Sequence, residues 1–359
     1  MENQTLKWID PNWPLEKRLR ELYIRHYDEL IHEQSKEWLI KRFSKGATKY
    51  KINTALFYRN IIWQIRERIL KKQREPLTEL IRTFWYMYIK PTLSRSDSLA
   101  TKEDQYAQIN GTLVSMVKAW KLMEYKDIGF RDENQANRKV GGNANIILFA
   151  EKLGHQDYLT EIGNKYSIST IALGGQPSVL NTEYFVDNLK KTGLNIQRSF
   201  YLFSIVDYDT TGWIIRDAFL NNLYHYGIKN IRVIDLVYPD MLTEEEIKLS
   251  RYLIPAGKDM TVKNENWLKE VYKRNYKNQK YLEGKTTDSR WITTNSRWIT
   301  TKGKILYGLE AESITTKRLT EKLEEVMVPL IGKSEDLLRI YELKKLNESI
   351  KALIVHKVT

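Results

Sequence analysis

Between residues 143 and 237, short apolar runs alternate with helical stretches, and this alternation restricts the fold more than any other feature of the chain. NIILF at 145–149, SISTIAL at 167–173, FYLFSIV at 200–206 and NIRVIDLV at 230–237 are four such runs. Continuous apolar runs of this length mark strands buried on both faces. The segments between them, near 153–166, 178–192 and 212–226, have helical patterning, and Ile215, Phe219 and Leu223 fall on one side of the last. Strands alternating with helices predict a parallel α/β sheet.

Upstream the grammar is helical. Leu15, Leu19, Leu22, Tyr23 and Tyr27 fall at helical spacing and predict a helix within 15–42. A second is predicted over 54–73, broken by Pro76, and a third over 77–89, stopped by Pro91. Further stretches at 104–125 and near 127–140 lead into Gly141-Gly142. Three short helices followed by a short β region would suit a winged-helix DNA-binding module. The last third is helical and charged, and TTDSRWI at 286–292 recurs as TTNSRWI at 293–299. One tandem copy is not a structural repeat family and reads as a duplication in a tolerant surface loop. The expected class is mixed α/β in three parts: an N-terminal helical extension over 1–48, a winged-helix part over 49–141, and an α/β part with a helical C-terminal region over 142–359.

Composition narrows the function. The chain of 359 residues has 58 Lys+Arg against 45 Asp+Glu, a formal net charge of +13. Residues 38–95 hold 14 basic and 3 acidic side chains, and no acid lies between Lys41 and Arg66. A field of that sign and density favours polyanions, nucleic acid first among them. With no cysteine, disulfides, thiol nucleophiles and Cys-ligated zinc are excluded. No apolar run is long enough to span a membrane, and the opening MENQTLKWIDPNW lacks the layout of a signal peptide. An intracellular, nucleoid-associated protein is expected. No G-x-x-x-x-G-K-[ST] loop is present, so any ATP must be bound by another chain.

Three carboxylates stand where such a sheet places its ligands. Glu151 follows the first apolar run, and Asp207 and Asp209 follow the third in VDYDTTG. Ligands bind at the carboxyl ends of parallel strands. Residues two apart in a strand share a face, so Asp207 and Asp209 can act together. Carboxylates packed this closely repel one another unless a cation joins them. Oxygen-only ligation suits Mg²⁺. Read plainly, Asp207 and Asp209 could instead cap the next helix.

ILFAEK at 147–152 resembles the strand–Glu–Lys signature of the Toprim metal-binding domain. ALGGQPS at 172–178 and IVDYDTTGW at 205–213 resemble elements of the DNA topoisomerase VI A subunit, with Thr210 where a proline is usual. IRTFWYM at 81–87 resembles the motif that this subunit shares with the meiotic double-strand-break transesterase, with Arg82, Trp85 and Tyr86 in the places of the arginine, first aromatic and nucleophilic tyrosine. ILYGLEAESI at 305–314 also resembles a late segment of the A subunit. The resemblance covers roughly 50–330, in the family's order. It implies a homodimer that cuts double-stranded DNA through 5′-phosphotyrosyl links, with Tyr86 and Arg82 catalytic and Mg²⁺ held by Glu151, Asp207 and Asp209. It further implies a separate GHKL-type ATPase B subunit that supplies ATP-driven strand passage, the isomerase activity.

The residues can support that chemistry. Tyrosine can form a covalent phosphotyrosine, but its ordinary pKa of about 10 means it needs help to lose its proton. Arg82, four residues earlier on a helix, lies on the same face, and a guanidinium can grip phosphate in two places. Tyr88 is the rival nucleophile, but it is six residues from Arg82 and on the wrong helical face. Rival functions are a Toprim nuclease using metal-bound water, a stand-alone breaker of the meiotic type, and a non-catalytic DNA-binding defence component.

Overall fold

A computed structural model describes residues 9–44, 51–95, 102–255, 258–285 and 304–332, with seven further positions between 342 and 351. The repeated heptapeptide at 286–299 lies outside the described residues. The chain divides into two compact units, 1–133 and 134–359.

The first unit is helical, and no strand occurs among its described residues. Its helices are α1 (Leu15–Glu21), α2 (Lys36–Phe43), α3 (Thr54–Leu70), α4 (Ile81–Phe84), α5 (Lys90–Arg95) and α6 (Lys102–Val114). The short β region expected of a winged helix is not found here: Arg138–Lys139, the nearest strand, pairs in the second unit's sheet. Helix α3 is the centre. Asn53 caps it by accepting from the Leu56 N–H, and Leu56–Tyr58 and Asn60–Ile65 are buried. Two of those buried residues are polar, and they explain why the helix predicted over 15–42 breaks. The Asn60 side chain accepts from Arg25 N–H and donates to the Tyr23 carbonyl, while Gln64 accepts from Ile31 N–H and donates to the carbonyls of Tyr27 and Glu29. These bonds give the non-helical backbone between α1 and α2 the partners a helix would have provided.

The chain also passes through Pro91 without stopping. Trp85–Ile89 forms a π-helical turn between α4 and α5, and Lys90 N–H bonds back to the Trp85 carbonyl. In the shift from π to α pairing one carbonyl loses its place in the ladder, so a residue without an N–H costs little there.

The second unit is built on the expected sheet. The strands are β1 (Arg138–Lys139), β2 (Asn143–Ala150), β3 (Ile168–Ala172), β4 (Phe200–Ile205) and β5 (Ile231–Asp235). They lie in the order β1-β3-β2-β4-β5. β2, β3, β4 and β5 are parallel, and β1 runs antiparallel to β3. Helices α7 (Gln156–Tyr166), α8 (Val179–Lys191) and α9 (Thr210–His225) connect them. The mixed α/β class and the parallel sheet are therefore as the sequence predicts. The core joins Ile146–Ala150, Leu202, Phe203 and Ile205 with Phe185 and Phe219. β2 passes to β3 on one side, and the chain then returns to β4 on the other. The strand order thus reverses between β2 and β4, the crevice where such sheets bind ligands.

Beyond β5 come α10 (Glu244–Ser250), β6 (Arg251–Leu253), α11 (Lys258–Arg274), β7 (Glu283–Lys285), β8 (Lys304–Leu309) and α12 (Thr316–Ile331). β8 is central to an antiparallel sheet of order β6-β8-β7. Its last residue, Leu309, pairs with Tyr208 through Tyr208 N–H to Leu309 O at 2.8 Å and the reverse bond at 3.3 Å. This pairing carries the chain after β8 onto the Asp-x-Asp loop. None of the described helices is long and apolar enough to cross a membrane.

Candidate active site

Glu151 stands at the C-terminal end of β2, and Asp207 and Asp209 follow β4, its parallel neighbour. Glu151 N–H donates to the Ile205 carbonyl, which ties the two strand ends together. The Glu151 carboxylate in turn accepts from Asp207 N–H at 3.4 Å. Asp209 is the N-cap of α9, its Oδ1 accepting from Gly212 N–H at 2.7 Å and its Oδ2 from the Tyr252 hydroxyl at 2.8 Å. The capping role and the gathering of the carboxylates therefore coexist. Gly212 is obligatory in this loop, since a Cβ there would lie 2.2 Å from the Asp207 carbonyl oxygen.

Burial pushes the Glu151 carboxyl above its ordinary value, and the Asp207 and Asp209 charges add to the shift. Burial likewise raises Asp209, which is only 8% exposed, although the Gly212 and Tyr252 hydrogen bonds oppose it. The loop after β8 adds two acids that motif reading did not assign. Lys152 Nζ lies 2.7 Å from Glu312, 3.1 Å from Asp207 and 3.9 Å from Glu310. Ala311 N–H donates to Asp207 Oδ1 at 2.8 Å. Burial disfavours the Lys152 charge, yet Glu312 and Asp207 outweigh it and hold the ammonium above its usual range. Glu312 is shifted down because its bond to Lys152 overcomes its own burial. Glu310 and Glu312 lie in the ILYGLEAESI segment at 305–314, whose resemblance gave neither of them a role. His155, also unassigned from sequence, is buried and shifted down by that burial. Its Nε2 has no hydrogen-bond partner among the described residues.

These residues fit Mg²⁺ in their donor chemistry. All three acids offer oxygen, and a divalent cation supplies the charge that would relieve the raised Glu151 and Asp209. The arrangement is less direct. Among the described residues no three acidic or histidine side chains are disposed to close on one ion. Lys152 already holds Asp207 Oδ1, so a metal there would have to share that oxygen or displace the ammonium.

The tyrosine belongs to the first unit. Arg82, Tyr86 and Lys90 follow one another at four-residue intervals, and all three are exposed. Tyr86 is 40% exposed while its neighbours Phe84, Trp85, Tyr88 and Ile89 are buried. Its ring packs edge-on against Trp85 at 4.5 Å between centroids. Lys90 Nζ sits 5.2 Å from the Tyr86 ring centre and 5.5 Å from that of Trp85. The Tyr88 hydroxyl accepts a close bond from Arg74, and its ring lies against His32 and Phe84. Tyr88 is thus committed to packing, and Tyr86 is presented to solvent.

The basic segment is partly structural. Arg66 pairs with Asp127 at 2.8 Å, Arg68 and Arg95 donate to the carbonyls of Asp28 and His32, and Arg59 donates to the Ala55 carbonyl. The exposed cations of 51–95 include Lys51, Lys71, Lys72, Arg82 and Lys90. Two cavities of about 410 and 490 Å³ open beside His26 and Glu67, and neither is lined by Tyr86.

Compared with known protein families and with curated proteins, the chain matches none.

Proposed function

We propose that this chain is the DNA-cleaving A subunit of a topoisomerase VI-like enzyme. In this reading a homodimer binds duplex DNA, and each Tyr86 attacks one strand to leave a 5′-phosphotyrosyl link. Arg82 holds the attacked phosphate. Glu151, Asp207 and Asp209 would hold Mg²⁺, which would supply positive charge to stabilise the phosphate during transfer. The observation that carries the reading is the gathering of Glu151 with Asp207 and Asp209 at the ends of adjacent parallel strands. The same chain also presents Tyr86, with Arg82 one turn before it, on an exposed helical face. The helical first unit would carry the nucleophile and meet the DNA, and 142–359 would act as the Toprim part, with ATP bound by a GHKL-type partner. The reaction is an exchange of esters, so energy stored in the phosphotyrosine can reseal the break.

A second reading is a Toprim nuclease in which water replaces Tyr86. The same three carboxylates favour it equally, because none of them depends on the tyrosine. Supercoiled plasmid incubated with the protein and Mg²⁺, with and without a GHKL ATPase subunit plus ATP, then stopped with detergent, separates the two. The proposal expects linear DNA with protein on its 5′ ends, lost in Tyr86→Phe. Free 5′ ends, unaffected by that substitution, would establish the nuclease.

A further inference from the structure

Lys90 enters no motif, yet its ammonium stands 5.2 Å from the Tyr86 ring centre. Its ammonium lies over the faces of both Trp85 and Tyr86. The π-helical turn over 85–89 brings this about. In an α-helix Lys90 would stack on Tyr86 alone, four residues away, with Trp85 five residues away and rotated off that face. The wider turn brings all three side chains together, and Trp85 is anchored beneath by its indole N–H to Gln105 Oε1 at 3.2 Å. Extra residues of this kind concentrate at functional sites. The buried indole gives Lys90 a fixed platform beside an exposed phenol, with Arg82 one turn away on the other side.

We propose that Lys90 is a further catalytic residue, a second cation that with Arg82 supports the Tyr86 oxygen and the attacked phosphate. This rests on the reading of Tyr86 as nucleophile. The step balances without a further reagent. The Tyr86 Oη–P bond forms as the P–O3′ bond breaks, the phenolic proton passes to solvent, and the 3′ oxygen takes a proton from it. Negative charge builds on the phosphoryl oxygens between two cations, where fixed positive charge is most effective.

The test separates Lys90 from the cleavage reading. Purified full-length protein is treated with an aryl sulfonyl fluoride, which sulfonates tyrosine with loss of fluoride and a proton. The modification rate at Tyr86 is followed by peptide mass spectrometry in wild type, Lys90→Met and Lys90→Arg. Methionine keeps the apolar stem and removes the charge. The expected result is a roughly three- to tenfold slower rate in Lys90→Met, the scale of one partly screened charge held about 5 Å from the ring centre, with Lys90→Arg restoring most of it. Equal rates in wild type and Lys90→Met would overturn the proposal, whatever DNA assays show. A Lys90-dependent rate in a protein that forms no DNA adduct would instead sink the topoisomerase reading, and the catalytic role of Lys90 with it, and leave only an effect of Lys90 on the reactivity of the Tyr86 phenol. With active protein, Lys90→Met is expected to slow single-turnover adduct formation at least tenfold while duplex affinity changes less than threefold. A loss confined to affinity would overturn the catalytic role.

Discussion

Replacing Gly212 by alanine should damage the fold and the carboxylate site together, by an amount the geometry sets. The new Cβ would stand 2.2 Å from the Asp207 carbonyl oxygen and 3.0 Å from the Asp207 C and N atoms. All three are backbone atoms, so no flexible side chain can swing aside. Ordinary contact begins near 3.4 Å, so loop and helix start must separate by roughly 1 Å. Overpacking of this kind costs about 1–3 kcal/mol. The displaced Gly212 N–H also loses its 2.7 Å bond to Asp209 Oδ1, and a lost N-cap adds about 1 kcal/mol. A total of about 2–4 kcal/mol corresponds, in a unit of this size, to a fall in Tm of roughly 4–16 °C. Gly111 in α6 is the control, since its Cβ would meet nothing within 4 Å. Alanine there should stabilise by about 0.5–1 kcal/mol. Differential scanning calorimetry reads both, and isothermal titration with MgCl₂ reads the site. A Gly212→Ala protein that melts within 1 °C of wild type and binds Mg²⁺ equally well would refute this account of the loop.

Asp209→Asn should separate stability from function. The raised Asp209 carboxyl contributes stability that is complete below its unfolded pKa and is lost as pH rises through the higher folded value. At pH 7 the charge therefore burdens the fold, and asparagine, which can still accept from Gly212 N–H, should raise stability by about 0.5–2 kcal/mol while abolishing the Mg²⁺-induced rise in Tm. A less stable variant that keeps the Mg²⁺ response would contradict this. His26 should give the first unit a pH dependence of its own. Its bonds to Glu67 and Asp28 raise its pKa, so the pairing stabilises fully below about pH 6.5 and fades as pH rises through the folded value. Half exposure limits the effect to a few tenths of a kcal/mol. Urea melts at pH 6 and 8 should show that difference in wild type and not in His26→Gln.

What the sequence made legible follows from how local each signal is. The strands β2 to β5 were readable because each is a continuous apolar run, and Glu151, Asp207 and Asp209 because they terminate two of those runs. The break between α1 and α2 was hidden because its cause, Asn60 and Gln64, lies 33–37 residues away. The place of Glu310 and Glu312 beside Lys152 and Asp207 was hidden for the same reason: Ala311 N–H reaches Asp207 across 104 residues only because β8 returns to the Asp-x-Asp loop. Pro91 misled because a π-helical turn absorbs it. Helical spacing favoured Tyr86 over Tyr88, and the bond from Arg74 that holds Tyr88 in place adds a reason no local pattern contains.

The central claim is that Tyr86 joins this protein to DNA. Adducts trapped with Mg²⁺ on plasmid, trimmed with nuclease and mapped by peptide mass spectrometry test it most directly. The account predicts a 5′-nucleotide on Tyr86 and none in the Tyr86→Phe protein. A nucleotide on Tyr88 or another residue, or cleaved DNA whose 5′ ends carry no peptide, would contradict it.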